Sequence, residues 1–289
     1  MHEHEIDLPC DAPDEALAFL VDRLGFRPER LVPADDPALA VVSGHGLRFH
    51  LRRGPEPSTQ VDALSFETRV YHSPVTFQVG RAGMLYRDLA PDRLGGHWIA
   101  SQIRIPEGGP VADRVHAHEV EFQLIHCLAG WVEVVYEGQG APLMMRPGDG
   151  VLQPPGIRHR VLSASDGLEV FELTGPSVHT TIFDPDLELP GSEQPDGSWG
   201  GQRFVHYQSG GDETEVFDTG ISAATGGAFD VQLRRGDLEP LIRESRILYA
   251  LEGTGTWEGA PLAAGDLVFL PGGCAAAAAG DLAWLQLTW

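Results

Sequence analysis

Three histidines have the spacing of a metal site. His116 and His118 are two residues apart, so on a β-strand both imidazoles point to the same face. His159 follows a Pro-Pro-Gly turn that ends at Gly156, and it can approach that face from another strand. Three converging neutral imidazoles form a facial site for a divalent first-row metal, with positions left open for water, oxygen or a chelating substrate. The alternative interpretation is an ordinary solvent-facing pair of strand histidines.

Short strands joined by tight turns must position these histidines. The chain has 35 Gly and 22 Pro in 289 residues, which is too many for a helical bundle and typical of many short strands. Residues 61–185 and 204–289 are both strand-rich, and they repeat each other. The matching pairs are Gln123–Gly130 with Arg246–Gly253, and Arg146–Gly156 with Ala263–Gly273. The sequence therefore predicts two copies of one antiparallel barrel.

The spacings resemble the two sequence motifs of the cupin superfamily. The first motif is matched by His116, His118, Gln123 and Gly130, and the second by Gly148, Pro154, Gly156 and His159. The resemblance covers residues 75–185 well and residues 204–289 weakly. It implies a predominantly all-β chain with two jelly-roll barrels, a bicupin, in which the first barrel binds the metal.

The resemblance also implies the ligand set. Cupins have Glu where this chain has Gln123, and an amide oxygen is a poorer donor to a hard cation than a carboxylate. We expect His116, His118 and His159 as ligands, with Gln123 either a weak fourth ligand or a hydrogen-bond partner of the ligands. In the second copy the four positions fall at or near Glu239, Leu241, Arg246 and Ala276. The second barrel is therefore expected to bind no metal, and to be structural or a lid for the first.

Other polar residues near the motif have two interpretations each. Arg104 either faces the cavity, where it would bind a substrate carboxylate, or forms an external salt bridge, and we predict substrate binding. Glu119 and Glu121 are expected to be exposed, although either is an alternative to Gln123 as a ligand. His126 has the opposite strand parity from Gln123 and is expected to face outward.

The first 55 residues differ from the two strand-rich halves, because their sequence predicts a helix among the strands. A helix is expected to begin near Asp11 or Asp14, either of which is a candidate cap, and to end at Gly25, within a β-α-β-β order. This segment resembles one module of the vicinal oxygen chelate (glyoxalase-like) family, which normally pairs two modules around a metal. Its ligand positions would fall near Asp7 and His50. With one module present, we expect a structural or dimerising half-module.

The charge excludes some partners. Arg and Lys number 20 against 42 Asp and Glu, which gives a net charge of −22 and argues against nucleic acid and anionic membranes.

The first residues lack the basic and apolar regions of a secretory signal, and no segment is apolar over the length of a membrane span. Three widely spaced cysteines, Cys10, Cys127 and Cys274, fit reduced thiols, so a cytoplasmic location is expected.

These observations predict a metal-dependent enzyme. A non-haem Fe²⁺ dioxygenase is favoured, because bicupin ring-cleaving dioxygenases of the gentisate type are similar in using three histidines. A site with three neutral ligands keeps a charge of +2 and would favour a small chelating, anionic substrate. The alternatives are a lyase, isomerase or hydrolase with Mn²⁺, Ni²⁺ or Zn²⁺, and a non-catalytic small-molecule sensor. A homodimer is expected.

Overall fold

The computed structural model describes residues 4–34, 36–55, 58, 60–63, 67–74, 76–80, 83–210, 215–236, 238, 244–274 and 278–289. The helices within these ranges are α1 (Pro13–Leu24), α2 (Arg93–Gly96) and α3 (Ile221–Ala224). The first strands along the chain are β1 (His4–Pro9), β2 (Arg27–Val32), β3 (Leu39–Gly44), β4 (Leu47–Arg52), β5 (Arg69–Tyr71), β6 (Gln78–Val79) and β7 (Leu85–Asp88). The next strands are β8 (Ile99–Ile105), β9 (Gly109–Pro110), β10 (His116–His118), β11 (Phe122–Ala129), β12 (Val132–Tyr136), β13 (Leu143–Met145), β14 (Asp149–Leu152), β15 (His159–Ala164), β16 (Leu168–Gly175) and β17 (Thr181–Phe183). The last are β18 (Val205–Gln208), β19 (Val216–Asp218), β20 (Asp230–Arg235), β21 (Arg246–Trp257), β22 (Ala260–Ala263), β23 (Leu267–Leu270) and β24 (Ala278–Thr288).

The N-terminal segment has one strand more than expected. Its order is βαβββ, because Arg27–Val32 pairs with β3 although its apolar residues come only at its end. Helix α1 does end at Gly25, which has a φ of 71° and whose backbone N–H closes the last turn. Neither candidate aspartate caps its start: the N-cap is Ala12, without a side-chain hydrogen bond.

The N-terminal sheet continues into the first barrel. Its strands run in the order β1-β4-β3-β2, and β2 then pairs antiparallel with β17. From β17 the sheet continues through β10, β15, β12 and β13. The strand that carries His116 and His118 is therefore central in this sheet, between β17 and β15.

The two strand-rich halves have corresponding pairings. Leu124 on β11 pairs with Leu152 on β14, and the matching residues of the second half, Ile247 and Phe269, pair in the same way. This register supports the internal repeat seen in the sequence. Each half also contributes a strand to the other half's sheet: β5 pairs with β23, and β18 pairs with β14.

One hydrophobic core joins the halves. It contains Phe122 and Phe171 from the first half with Tyr249 and Phe269 from the second, all at most 2% exposed. The rings of Phe171 and Tyr249 stack with centroids 4.1 Å apart. A separate core fills the inside of the first barrel, beside the three histidines. Among the described residues, no helix is long and apolar enough to span a membrane.

Candidate metal centre

The three histidines come together in the first barrel. His116 and His118 lie on β10, and His116 is directly opposite His159 on the neighbouring strand β15. One ligand nitrogen from each lies within 4.8 Å of those of the other two, and all three side chains are buried. The ring centroids are 4.4 Å apart for His116 and His159, and 5.0 Å apart for His116 and His118.

Each imidazole is oriented through its Nδ1 atom. The Nδ1 of His116 lies 2.7 Å from the carbonyl oxygen of Arg114, and the Nδ1 of His159 lies 3.1 Å from that of Ile157. Because a carbonyl oxygen only accepts, both rings carry their proton on Nδ1. His118 has its Nδ1 3.1 Å from Oγ1 of the fully buried Thr181. This leaves Nε2 as the ligand atom of each ring, which is the arrangement that metal-binding histidines use.

One carboxylate lies beside this cluster, and another lines its cavity. Oδ1 of Asp113 is 3.6 Å from Nδ1 of His116, and Oδ2 of the same side chain accepts a hydrogen bond from the backbone N–H of Val161. Glu172, on β16, lines the same cavity as the histidines. Neither Asp113 nor Glu172 was predicted as a site residue from the sequence. A donor set of three buried, oriented imidazoles with the Asp113 carboxylate next to it fits a divalent first-row ion.

The histidines line a cavity of about 110 Å³ inside the barrel. Most of its wall is apolar, from residues that alternate inward along several strands. The apolar lining residues are Met84, Ile103, Ile105, Ile125, Val132, Val134, Met145, Val161, Leu168 and Val170. The polar lining residues are Asp113, His116, His118, Gln123, Tyr136, Gln153, His159 and Glu172, with Tyr86 as a further aromatic. The site is therefore a small, mostly apolar chamber with polar groups concentrated around the histidines.

Gln123 lies in the cavity wall and belongs to a chain of hydrogen bonds. The Tyr136 hydroxyl donates to Oε1 of Gln153 at 2.5 Å, and Nε2 of Gln153 donates to Oε1 of Gln123 at 2.9 Å. Nε2 of Gln123 donates in turn to Oε1 of Glu172 at 2.8 Å. Burial, with the nearby Glu172 charge, raises the pKa of Tyr136 well above its usual value, so the phenol stays a donor. Both ends of the Gln123 amide are thus engaged, and its role as a ligand remains a prediction.

Arg104 does not reach the cavity. Its neighbours Ile103 and Ile105 point inward, so strand alternation turns Arg104 to the outer face of β8. There Nε of Arg104 donates to Glu169 on β16 at 2.7 Å, and the guanidinium lies 4.4 Å above the ring of Phe77. The predicted role of Arg104 in binding a substrate carboxylate does not fit this placement, whereas the external salt bridge does.

Three other residues near the motif, Glu119, Glu121 and His126, were expected to lie outside the cavity. Glu119 and Glu121 are exposed, as expected. His126 does lie on the opposite face of β11 from Gln123, but that face packs against the second half, so His126 is 2% exposed. Its Nδ1 lies 2.9 Å from the hydroxyl of Tyr207, and burial lowers the pKa of His126 to about 4.

The second barrel offers no equivalent of the histidine cluster. The sequence contains no histidine after His206. Arg246 occupies the position that matches Gln123; it is buried, and desolvation together with nearby Arg234 lowers its pKa to about 10. Glu239, Leu241 and Ala276, the other matching positions, lie outside the described residues.

The N-terminal segment brings its two candidate ligands together. Asp7 on β1 pairs in register with His50 on β4, with Oδ1 and Nδ1 4.0 Å apart. Asp7 also accepts a hydrogen bond from Arg52 at 2.7 Å, which lowers the pKa of this carboxyl. In the described part of the chain, the three barrel histidines are the one group of three or more His, Cys, Asp or Glu side chains close enough to share an ion. The half-module therefore stays a prediction as a structural or dimerising element.

Comparison with known proteins agrees with this fold. Residues 102–173 match the family model of a cupin domain, a range that contains His116, His118, Gln123 and His159. No curated protein matches the sequence.

Solved structures give more distant similarities. The protein Ylba from E. coli is 12% identical over 79% of this chain and 93% of its own, with a TM-score of 0.51, and it shares the fold. Two structures of oxalate decarboxylase from Bacillus subtilis, a tryptophan-to-phenylalanine variant and one at pH 4.6, are each 14% identical over 80% of this chain. The matches cover 79% and 78% of those chains, with TM-scores of 0.49 and 0.48.

Proposed function

We propose that the chain, whose residues 102–173 match the family model of a cupin domain, is a metal-dependent enzyme with His116, His118 and His159 as its metal ligands. The observation that carries the proposal is the convergence of three ligand nitrogens within 4.8 Å at the wall of a mostly apolar cavity. A structural barrel core has no need of three buried imidazoles whose Nδ1 atoms are all engaged by the protein.

We propose a dioxygenase as the reaction class, with Fe²⁺ as the metal. A divalent ion held by three neutral imidazoles supplies Lewis acidity and, with iron, redox capacity, and it keeps positions open for small molecules. The protein's own groups would do the rest. The isoleucine, valine and methionine side chains of the cavity would hold the body of a small substrate and exclude water. Gln123 and Gln153 fix the polar end of the cavity through their hydrogen bonds.

A lyase or isomerase on the same site is the second candidate, and Glu172 favours it. A carboxylate in the wall of the cavity can accept or return a proton in a reaction that consumes no oxygen. For such chemistry Mn²⁺, Ni²⁺ or Zn²⁺ would serve as the Lewis acid.

Oxygen consumption tests the proposal. Protein loaded anaerobically with Fe²⁺ would be mixed with a panel of catechols, β-diketones and hydroxy acids at an oxygen electrode. Parallel anaerobic samples with Mn²⁺, Ni²⁺ or Zn²⁺ would be followed by NMR. Oxygen uptake matched to substrate loss, absent in His116→Ala and retained in Glu169→Gln, supports the dioxygenase. Turnover without oxygen consumption would support the lyase or isomerase instead of the dioxygenase, and binding without turnover would indicate a sensor.

The cytoplasmic location and the homodimer remain predictions from the sequence.

A further inference from the structure

The carboxylate of Glu172 is fixed at one oxygen and open at the other. Its Oε1 accepts a hydrogen bond from Nε2 of Gln123 at 2.8 Å and another from Oγ1 of Thr174 at 3.1 Å. No described residue donates a hydrogen bond to its Oε2, and Glu172 lines the cavity that the histidines share. The free oxygen is therefore available to a molecule in the cavity.

The hydrogen-bond chain keeps Glu172 an acceptor. A carboxylate at the end of the chain can only accept, so the amide of Gln123 must direct its NH₂ group toward it. That orientation directs the Gln123 oxygen to Gln153, and the Gln153 oxygen to the Tyr136 hydroxyl. Every donor in the chain points toward Glu172. A ligand group that meets the free oxygen of ionised Glu172 must itself be a donor.

The cavity also lacks a cation to bind a substrate carboxylate. All 20 basic residues of the chain are arginines, and among the described residues none lines the cavity. Two carboxylates, Asp113 and Glu172, do line it, and together they match the charge of one divalent ion. The cavity is thus close to neutral with the metal bound, instead of the doubly positive cage expected from three histidines alone.

We propose that Glu172 sets the substrate class: a small neutral chelator that presents a hydroxyl or amine donor to Glu172 beside an apolar body, in preference to a carboxylate. This inference rests on the proposed metal site. Glu172 acts here as a specificity residue. A substrate carboxylate near its free oxygen would be repelled, and like charges a few ångströms apart at a partly buried site weaken binding by roughly 10- to 100-fold.

A matched pair of probes tests this preference. Acetoin and lactate have the same shape and the same number of heavy atoms, but lactate has a carboxylate oxygen where acetoin has a methyl group. Dissociation constants would be measured for each from the relaxation of the probe methyl protons by Mn²⁺-loaded protein. The variants are Glu172→Gln and, as the control, Glu169→Gln, which lies on the outer face of the same strand against Arg104.

The expected result is a change in the ratio of the two constants. Glu172→Gln should shift the preference toward lactate by about tenfold or more, since the like charge is removed and the new amide donates to a carboxylate. Glu169→Gln should leave the ratio unchanged. A ratio that Glu172→Gln does not move, including the case in which neither probe binds, overturns the inference. Failure of the unmodified protein to bind Mn²⁺, Fe²⁺ or Zn²⁺ at all would instead overturn the proposed function.

Discussion

The hydrogen bond between Thr181 and His118 offers a sharp test of how the ligands are oriented. Thr181 lies on β17 directly opposite His118 on β10, it is fully buried, and its Oγ1 is 3.1 Å from Nδ1 of the ring. Replacing Thr181 by Val keeps a β-branched side chain, which suits a strand position. The change removes the hydroxyl that orients the imidazole, and it leaves all three ligands in place.

The expected loss follows from the role of the bond. Removing a hydrogen-bond partner of a metal-ligating histidine typically weakens metal binding by about 10- to 100-fold, or about 1.4 to 2.7 kcal/mol. The hydrogen bond itself contributes about 0.5 to 1.5 kcal/mol to folding, so Thr181→Val should also lower the free energy of unfolding of the metal-free protein by about that amount.

Competition with a chromophoric chelator for Zn²⁺ would measure the effect. Thr180→Val is the matched control, because Thr180 is the preceding residue and its side chain has no hydrogen bond to the ligands. The control should bind Zn²⁺ as the unmodified protein does. If Thr181→Val binds Zn²⁺ with unchanged affinity, then Thr181 does not position the ligand, and the assignment of Nε2 as the ligand atom of His118 loses its support.

Two further predictions concern buried residues on β11 and β14. Burial lowers the pKa of His126 from 6.5 to about 4, so the unfolded chain binds the proton of this histidine more tightly than the folded protein does. The stability that neutral His126 contributes is therefore complete above pH 6.5 and is lost as the pH falls toward 4. The total loss is about 3 kcal/mol. Urea unfolding of His126→Phe should show a smaller loss over that range than the unmodified protein, and an equal loss would contradict the assignment. A Cβ on Gly150 would lie 2.3 Å from the Tyr207 hydroxyl and 2.8 Å from the carbonyl oxygen of Ile125, so Gly150→Ala should lower the free energy of unfolding by about 1 to 3 kcal/mol. Gly191→Ala, where a Cβ meets nothing within 4 Å, should be close to neutral, and equal effects of the two substitutions would refute this account of the packing.

Local spacing was sufficient to predict that His116 and His118 lie side by side. Two histidines at a spacing of two share a face of any strand, and the structure places His116 and His118 in that way. Predicting that His159 joins these two histidines required a further inference, because its strand had to be placed from the turn that precedes it. The register that sets His159 opposite His116 confirms that the two strands are neighbours.

The carboxylates could not be predicted in the same way. Glu172 reaches the cavity only because β16 pairs with β11 in one particular register, which brings Glu172 opposite Ile125. No local motif specifies a pairing between strands so far apart in the sequence. A weaker signal was present: Leu168, Val170 and Glu172 alternate along one strand, so a charged residue continues an apolar inward face.

The same alternation explains the corrections for Arg104 on β8 and His126 on β11. Arg104 lies between two apolar residues, Ile103 and Ile105, and these take the inward positions. For His126 the face of the strand was predicted correctly, but the burial of that face was not. An outward face of one barrel becomes interior when a second barrel packs against it, and this arrangement follows from the two halves together.

Metal content tests the central claim most directly. Protein purified without a histidine tag and loaded with Zn²⁺ or Fe²⁺ should contain about one equivalent of metal per chain by elemental analysis, as expected for a single site. His116→Ala, His118→Ala and His159→Ala should each lose it, and His97→Ala, whose ring bonds the backbone oxygen of Asp62 outside the cavity, should retain it. Full metal content in His116→Ala would contradict the assignment of this centre.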